Sequence, residues 1–241
     1  VNVFHPKGPS FFELARQALS STERGYDLLA PKFDYTPFRT PDWLLAAVAP
    51  HLGAPLSIDR ALDVCCGTGA AIRFLRPLCR DSVTGIDVSA GMLAEARHRL
   101  ADAPGTARIE LIRGNAMAMP FEEVFDVATC FGALGHVLRK DEPAFVDAIR
   151  RTLKIGGRFA FVTSELPPVL SLRRMLSRAF NAAMHVRNAI WRPPFVMYYL
   201  TFLVPEVRGT LEAAGYAVEE RAGLFRRPFQ DYRLVIATRL R

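Results

Sequence analysis

Hydrophobic and polar positions change period several times along this chain, and the changes predict its elements. Phe11, Phe12, Leu14, Ala15, Ala18 and Leu19 recur at helical spacing, and Trp43, Leu44, Leu45, Val48 and Leu52 do so again after Pro41, so residues 10–52 read as helices preceding a sheet. From Arg60 short apolar runs alternate with amphipathic stretches: a strand to Cys66, a helix over 71–79, strand 83–87, helix 90–100, strands 109–113 and 124–131, helix 143–153 and strand 158–163. Strands separated by such helices build a parallel sheet covered on both faces. Near the C-terminus a short helix over 207–214 leads into strands 216–224 and 232–240 with no helix between them. Two such strands pair as a hairpin, so the last one is predicted to run antiparallel to its neighbours.

Residues 166–204 fall outside this alternation. They lie between the fifth strand and the last helix, where a short connection would suffice, and so form an insertion. Leu172, Met175, Leu176, Ala179, Ala183, Val186 and Ile190 share one helical face, with Arg173, Ser177, Arg178, Asn181 and Asn188 elsewhere on the helix. Pro193 and Pro194 then break the helix, and an uncharged apolar run follows over 195–204. That run is too short for the ~20 apolar residues a bilayer crossing needs. The segment is expected to form a mobile lid over a pocket for a largely apolar substrate; a homodimer interface and plain extra core are the alternatives. An arginine-rich amphipathic helix also suits the surface of anionic lipid, so peripheral membrane contact through 166–204 is a further expectation.

The chemistry concentrates where the first sheet strand turns into a helix. Leu62-Asp63-Val64-Cys65-Cys66-Gly67-Thr68-Gly69-Ala70 places one carboxylate and two closely spaced glycines at that junction. Glycine lacks a Cβ, so Gly67 and Gly69 let the turn take positive φ and let a ligand approach the backbone. Eighteen residues past Gly69, Gly85-Ile86-Asp87-Val88-Ser89 reads as a second strand ending in a carboxylate. An acid there can hydrogen-bond both ribose hydroxyls of a nucleoside.

These two motifs resemble those of the class I S-adenosylmethionine (SAM)-dependent methyltransferases, an acidic D-x-x-x-G-x-G loop and an acidic strand end. Arg113-Gly114-Asn115-Ala116-Met117-Ala118-Met119-Pro120-Phe121 is similar to the family's GDA…LPF segment, Phe125-Asp126-Val127-Ala128-Thr129-Cys130 to its fourth strand, and Leu153-Lys154-Ile155-Gly156-Gly157-Arg158 to its LKPGG turn. Tyr26-Asp27 and Asp34-Tyr35 resemble the segment with which many small-molecule members close over SAM, although the same aromatics could simply staple the first helices to the core. The resemblance implies a Rossmann-like, seven-stranded, mostly parallel sheet in a single α/β domain. A helical cap would occupy 1–55, the SAM-binding core 56–165, the insertion 166–204, and the last helix and hairpin 205–241.

The resemblance also implies roles. Asp63 would take the ammonium group of SAM, Cys65, Gly67 and Gly69 would line its methionine portion, and Asp87 would hold the ribose. Val88 and Met92 would pack on the adenine, Asn115 and Ala116 would bound its edge, and Tyr26 and Phe131 would complete the site. The family more often has Asp where Asn115 stands. His136 matches the place where many small-molecule members carry a histidine near the acceptor, so it is the candidate general base; orienting its loop or capping a helix is the alternative. A nicotinamide-binding domain is the nearest competitor, but its turn wants a third glycine where Ile72 stands, and NAD has no ammonium group to answer Asp63.

Composition narrows the reading further. The 241 residues suit one α/β domain, since such domains run to ~250 residues. Phe4-His5-Pro6-Lys7-Gly8-Pro9 is not a secretory signal pattern, so a cytoplasmic protein is expected. Cys65, Cys66, Cys79 and Cys130 show no C-x-x-C spacing and are expected to be reduced thiols, with no metal. Net charge is +7, but five arginines and no Asp or Glu lie within 166–204, so most of the excess belongs to the insertion and not to a nucleic-acid face. A nucleic-acid methyltransferase would also be expected to carry an N-P-P-Y type strand end where Cys130-Phe131-Gly132-Ala133 stands. The expectation is therefore transfer of a methyl group from SAM to a small or lipid acceptor, in a monomer or homodimer; a non-catalytic SAM-binding partner protein is the other class.

Overall fold

A computed structural model describes residues 4–241; residues 1–3 of the expected cap lie outside the described residues. Helices α1 (Phe11–Ala18), α2 (Thr22–Leu29) and α3 (Asp42–Leu52) precede the sheet. The core runs β1 (Ile58–Val64), α4 (Ala70–Leu75), β2 (Cys79–Asp87), α5 (Ala90–Arg99), β3 (Arg108–Arg113), β4 (Phe125–Cys130), α6 (Glu142–Thr152) and β5 (Leu153–Ser164). Helix α7 (Leu172–Ile190) occupies the insertion, and α8 (Glu206–Ala213), β6 (Tyr216–Arg221) and β7 (Tyr232–Arg239) complete the chain.

The strand order is β3-β2-β1-β4-β5-β7-β6. β1 to β5 pair in parallel, whereas β7 is antiparallel to both β5 and β6, as the hairpin pattern requires. Alternate residues feed two cores. Ala61, Val83, Val127 and Ala160 face α3, α4 and α5, while Leu62, Ala128, Phe159 and Phe161 face α6 and α8. Because β1 is followed in the chain by β2 on one side and lies against β4 on the other, the order reverses there. A crevice opens outside the C-terminal ends of these strands, the usual ligand position in such sheets.

Boundaries differ from the sequence pattern most clearly around α4 and at the start of β5. The helix expected over 71–79 ends at Leu75 and tightens into a 3-10 turn, Arg76–Leu78, because Pro77 cannot supply the next backbone N–H. Cys79 consequently opens β2, where it pairs with Ile58. β5 also starts earlier than expected, at Leu153, which pairs with Phe125 before the strand passes Gly156 at φ 78° and resumes register at Arg158.

The insertion departs most from its amphipathic pattern. α7 turns its polar side inward and its apolar side out: Leu172, Met175, Leu176, Val186 and Ile190 are all exposed. The reason lies in residues 193–204, which are irregular and whose backbone amides need partners. Asn181 donates to Tyr199 O (2.8 Å) and accepts from Tyr199 N–H (2.8 Å), and Asn188 does the same for Phe195 (3.0 and 2.9 Å). Each amide side chain supplies both a donor and an acceptor, so it closes a missing ladder rung. Phe195, Tyr198, Phe202 and Val204 of the irregular run are buried, so this part of the insertion packs as core.

Candidate active site

The turn between β1 and α4 holds three residues in the left-handed region: Cys65 at φ 57°, Gly67 at 52° and Gly69 at 83°. For Cys65, which has a Cβ, that conformation costs of order 1–3 kcal/mol. Backbone bonds impose it, from Cys66 N–H to Ile86 O (3.0 Å) and from Gly69 N–H to Cys66 O (2.9 Å). The two glycines serve different ends. A Cβ on Gly67 would meet nothing within 4 Å, so this position stays open beside the cavity. A Cβ on Gly69 would lie 2.7 Å from Leu100 Cδ1. Gly69, expected against a ligand, instead lets the turn pack on the end of α5, and it does not line the cavity.

The cavity beside this turn has a volume of about 610 Å³, within the range of small-molecule sites. Asp63, Cys65 and Gly67 reach it from β1 and the turn, Asp87, Val88 and Met92 from the end of β2 and α5. Asn115 and Ala116 enter after β3, Phe131 and His136 after β4, and Tyr26 from α2. Apart from Gly69, every residue given a SAM-contacting or general-base role in the sequence therefore lines one cavity, whereas Asp27, Asp34 and Tyr35 do not. Asn115 Oδ1 accepts from Met117 N–H (2.9 Å), which fixes the side chain over its own turn and leaves its amide nitrogen and the second lone pair of Oδ1 for a ligand.

Two carboxylates dominate the electrostatics. Asp63 is 2% exposed at the end of β1, and its Oδ1 accepts from the Thr129 hydroxyl at 2.8 Å. Burial pushes its carboxyl up to about 7; the Thr129 hydrogen bond opposes that shift, Asp87 adds to it, and no positive charge acts on it. Such a group suits a cationic ligand, because an added cation would stabilise its ionised form, which the Thr129 hydrogen bond alone does not offset against burial. Asp87 accepts from Gly67 N–H through Oδ2 (2.9 Å) and from Ser89 N–H through Oδ1 (2.9 Å). Burial raises its carboxyl as well. Both oxygens keep a further lone pair, so Asp87 can hold the glycine turn and a pair of ligand hydroxyls at once.

His136 sits in a 3-10 turn, Leu134–His136, and is tied on both ring nitrogens. A carbonyl only accepts, so the contact of Nδ1 with Val196 O places the proton on Nδ1. Nε2 is then the acceptor, and the Tyr26 hydroxyl donates to it at 2.6 Å. Burial lowers the imidazole below its ordinary range, so it is neutral at neutral pH. Burial pushes the Tyr26 phenol up, which keeps its proton. The pair is walled by rings: Phe195 lies 6.3 Å from Tyr26 and 6.4 Å from His136, and Phe33 lies 6.1 Å from Tyr26.

The motifs name Asp27 and Asp34 but not their partners, which lie across the fold. Asp27 accepts from the Ser89 hydroxyl (2.6 Å) and from Gly91 N–H (2.8 Å), latching α2 onto the start of α5. Asp34 accepts from the Thr68 hydroxyl (2.7 Å) and pairs with Arg39 (3.3 Å) and Arg99 (3.0 Å). The N-terminal segment is therefore bonded directly to both acidic motifs. Of the segment expected to form a lid, 166–204, Pro193, Pro194 and Val196 line the cavity, whereas no residue of α7 does. Among the described residues no group of His, Cys, Asp or Glu is placed to hold a metal ion.

A doubly covered parallel sheet with an antiparallel last strand, and two acids flanking a glycine turn at its switch point, define a nucleoside-binding enzyme fold. Residues 61–157 match the family model described as a methyltransferase domain. The chain is 30% identical over 169 residues to the demethylmenaquinone methyltransferase of Bacillus subtilis (strain 168), covering 68% of this chain and 70% of that protein. It is 33% identical over 160 residues to the ubiquinone/menaquinone biosynthesis C-methyltransferase UbiE of Xylella fastidiosa (strain M23), covering 63% of this chain and 61% of that one. The solved DhpI complex with S-adenosylhomocysteine (SAH) superposes with a TM-score of 0.65 at 20% identity over 96% of this chain and all of that one. The chain belongs to the class I SAM-dependent methyltransferases, and it is a SAM-dependent enzyme of the small-molecule type.

Proposed function

We propose that the acceptor is a lipophilic hydroquinone or phenol, methylated at a ring carbon. One observation supports this most: a neutral His136 Nε2, engaged with the Tyr26 hydroxyl, stands among aromatic walls and next to the cavity that carries the two acids. The names of the curated relatives point the same way. A phenolic acceptor becomes nucleophilic at oxygen and at the adjacent ring carbons once it loses its hydroxyl proton. In this reading that proton passes to the Tyr26 oxygen as the Tyr26 proton moves to His136 Nε2. The resulting imidazolium keeps its Nδ1–H on Val196 O.

The residues present fit SAM. Asp63 offers a buried carboxylate lacking a cation, Asp87 offers two acceptors at the ribose position, and Gly67 leaves open space between them. Val88, Met92 and Ala116 would flank the adenine. SAM when bound supplies an electrophilic methyl group, so the protein's task is alignment and exclusion of water, which can contribute roughly 7–11 kcal/mol. Incubation with SAM and a panel of short-tailed hydroquinones, phenols, amines and tRNA tests the reading. Mass spectrometry is expected to find the methyl group on ring carbon of a hydroquinone or phenol; exclusive N- or tRNA methylation, or O-methyl products alone, would overturn it.

Asp63 makes the cofactor step pH-dependent. Its pKa of about 7 in the ligand-free fold lies above the ordinary carboxylate value, so this group's contribution to stability is present at acid pH and is lost as pH rises towards 7. Binding an ammonium group requires the ionised form. SAM affinity is therefore expected to weaken as pH falls from 7 to 5.5, by up to about tenfold per pH unit, with proton release measurable by titration calorimetry in two buffers. The Asp63→Asn variant is expected to bind SAM weakly and with a flat profile over that range; an unchanged slope in the variant would assign the linkage elsewhere.

A further inference from the structure

We infer that the outward face of α7, together with the exposed end of α1, is a docking surface for an anionic lipid bilayer. The inference rests on the lipophilic acceptor proposed above and adds the surface from which that acceptor is taken. A globular protein ordinarily buries the apolar stripe of an amphipathic helix. Here the stripe faces water along all nineteen residues of α7, with Ile190 77% exposed and Leu170, just before the helix, 90% exposed. Trp191 ends the stripe, half exposed. Arg187 bonds to Ala18 O (2.9 Å) and Ser20 O (2.8 Å), joining this end of α7 to α1. α1 in turn exposes Leu19, Phe11 and Phe12, the last at 83%.

Charge selects the occupant. Residues 166–204 carry five arginines and no Asp or Glu. Arg178 and Arg192 are exposed beside the apolar stripe, and Arg16 is exposed in the last turn of α1. A second copy docked on α7 would meet the same acid-free helix, and the one carboxylate of α1, Glu13, is already paired with Lys32 (2.7 Å). Lipid phosphates complement them, and aliphatic and aromatic side chains enter the acyl boundary while arginine stays at the headgroups. No described helix is long and apolar enough to cross a membrane, which leaves α7 lying in the plane. Directly beyond Trp191, Pro193, Pro194 and Val196 line the active-site cavity. The docked helix therefore ends at the cavity wall, so an acceptor could enter from the bilayer.

Co-sedimentation with phosphatidylcholine vesicles, with and without about a third phosphatidylglycerol, tests the surface. The protein is expected to pellet with the anionic vesicles, to release with added salt, and to show blue-shifted tryptophan emission when bound. The Leu176→Glu/Ile190→Glu variant, altered only at exposed positions, is expected to keep its melting temperature and SAH affinity while losing at least about tenfold in vesicle partitioning. Its turnover of a short-tailed soluble acceptor should be unchanged, and its turnover of a long-tailed acceptor embedded in vesicles should fall. Absence of vesicle binding would overturn the inference, as would a solution dimer that the double variant converts to monomer. Vesicle binding without methylation of any hydroquinone or phenol would leave the surface standing and remove the acceptor assignment.

Discussion

Replacing His136 with alanine is expected to lower kcat by at least about 100-fold while SAM affinity stays within a few-fold, since general-base contributions run from about 10² to 10⁴. The geometry sets this expectation. Val196 O holds the proton on Nδ1, so Nε2 is the acceptor in the resting ring, and burial favours that neutral form. Lowering the imidazole pKa moves the acid limb of the kcat profile below the ordinary histidine range, so activity should already be on its plateau at neutral pH. Tyr26→Phe separates two routes. If the acceptor proton travels through the phenol bonded to Nε2, this variant should lose turnover nearly as far as His136→Ala. If the acceptor meets Nε2 directly, removing the hydroxyl should leave turnover intact. A loss of only a few-fold in His136→Ala, measured in single-turnover reactions with SAM saturating, would assign catalysis to alignment alone.

The second large effect is expected at Asp87. Its two oxygens accept from Gly67 N–H and Ser89 N–H, so Asp87→Ala removes the acceptors proposed for the ribose and also frees the turn that carries Gly67. Loss of hydrogen bonds to a charged group costs about 1.5–3 kcal/mol each. SAH affinity should fall by roughly 10- to 150-fold from one such contact alone, and further if the turn loosens. Asp87→Asn keeps one acceptor oxygen but points its amide donor at a backbone N–H, so it should recover only part of the affinity. Calorimetric titration with SAH reads both variants. Wild-type affinity in Asp87→Ala would remove this carboxylate from the cofactor site.

Alternating periods along 58–164 were enough to place the parallel sheet, and the missing helix between the last two strands was enough to reverse β7, because strand and helix periodicity are local properties of the chain. Asp63, Gly67 and Asp87 were legible for the same reason: a strand end, a turn and the next strand end are close in sequence, and their spacing carries their geometry. What lies across the fold was not legible. Thr129 reaches Asp63 from sixty-six residues away, and Val196 O reaches His136 from sixty, each through strand order and loop packing that no local pattern encodes. Pro77 shortened a helix whose apolar spacing continued past it, and Gly69 turned to Leu100 instead of the cavity, because packing against α5 is decided by the neighbour and not by the motif. The insertion shows the limit most clearly. Its sequence determined an amphipathic helix and an apolar run, but which face turned inward depended on the unpaired backbone of 195–199, whose amides Asn181 and Asn188 complete. Periodicity specifies that a helix has two faces; only the tertiary partners of each face decide which one meets water.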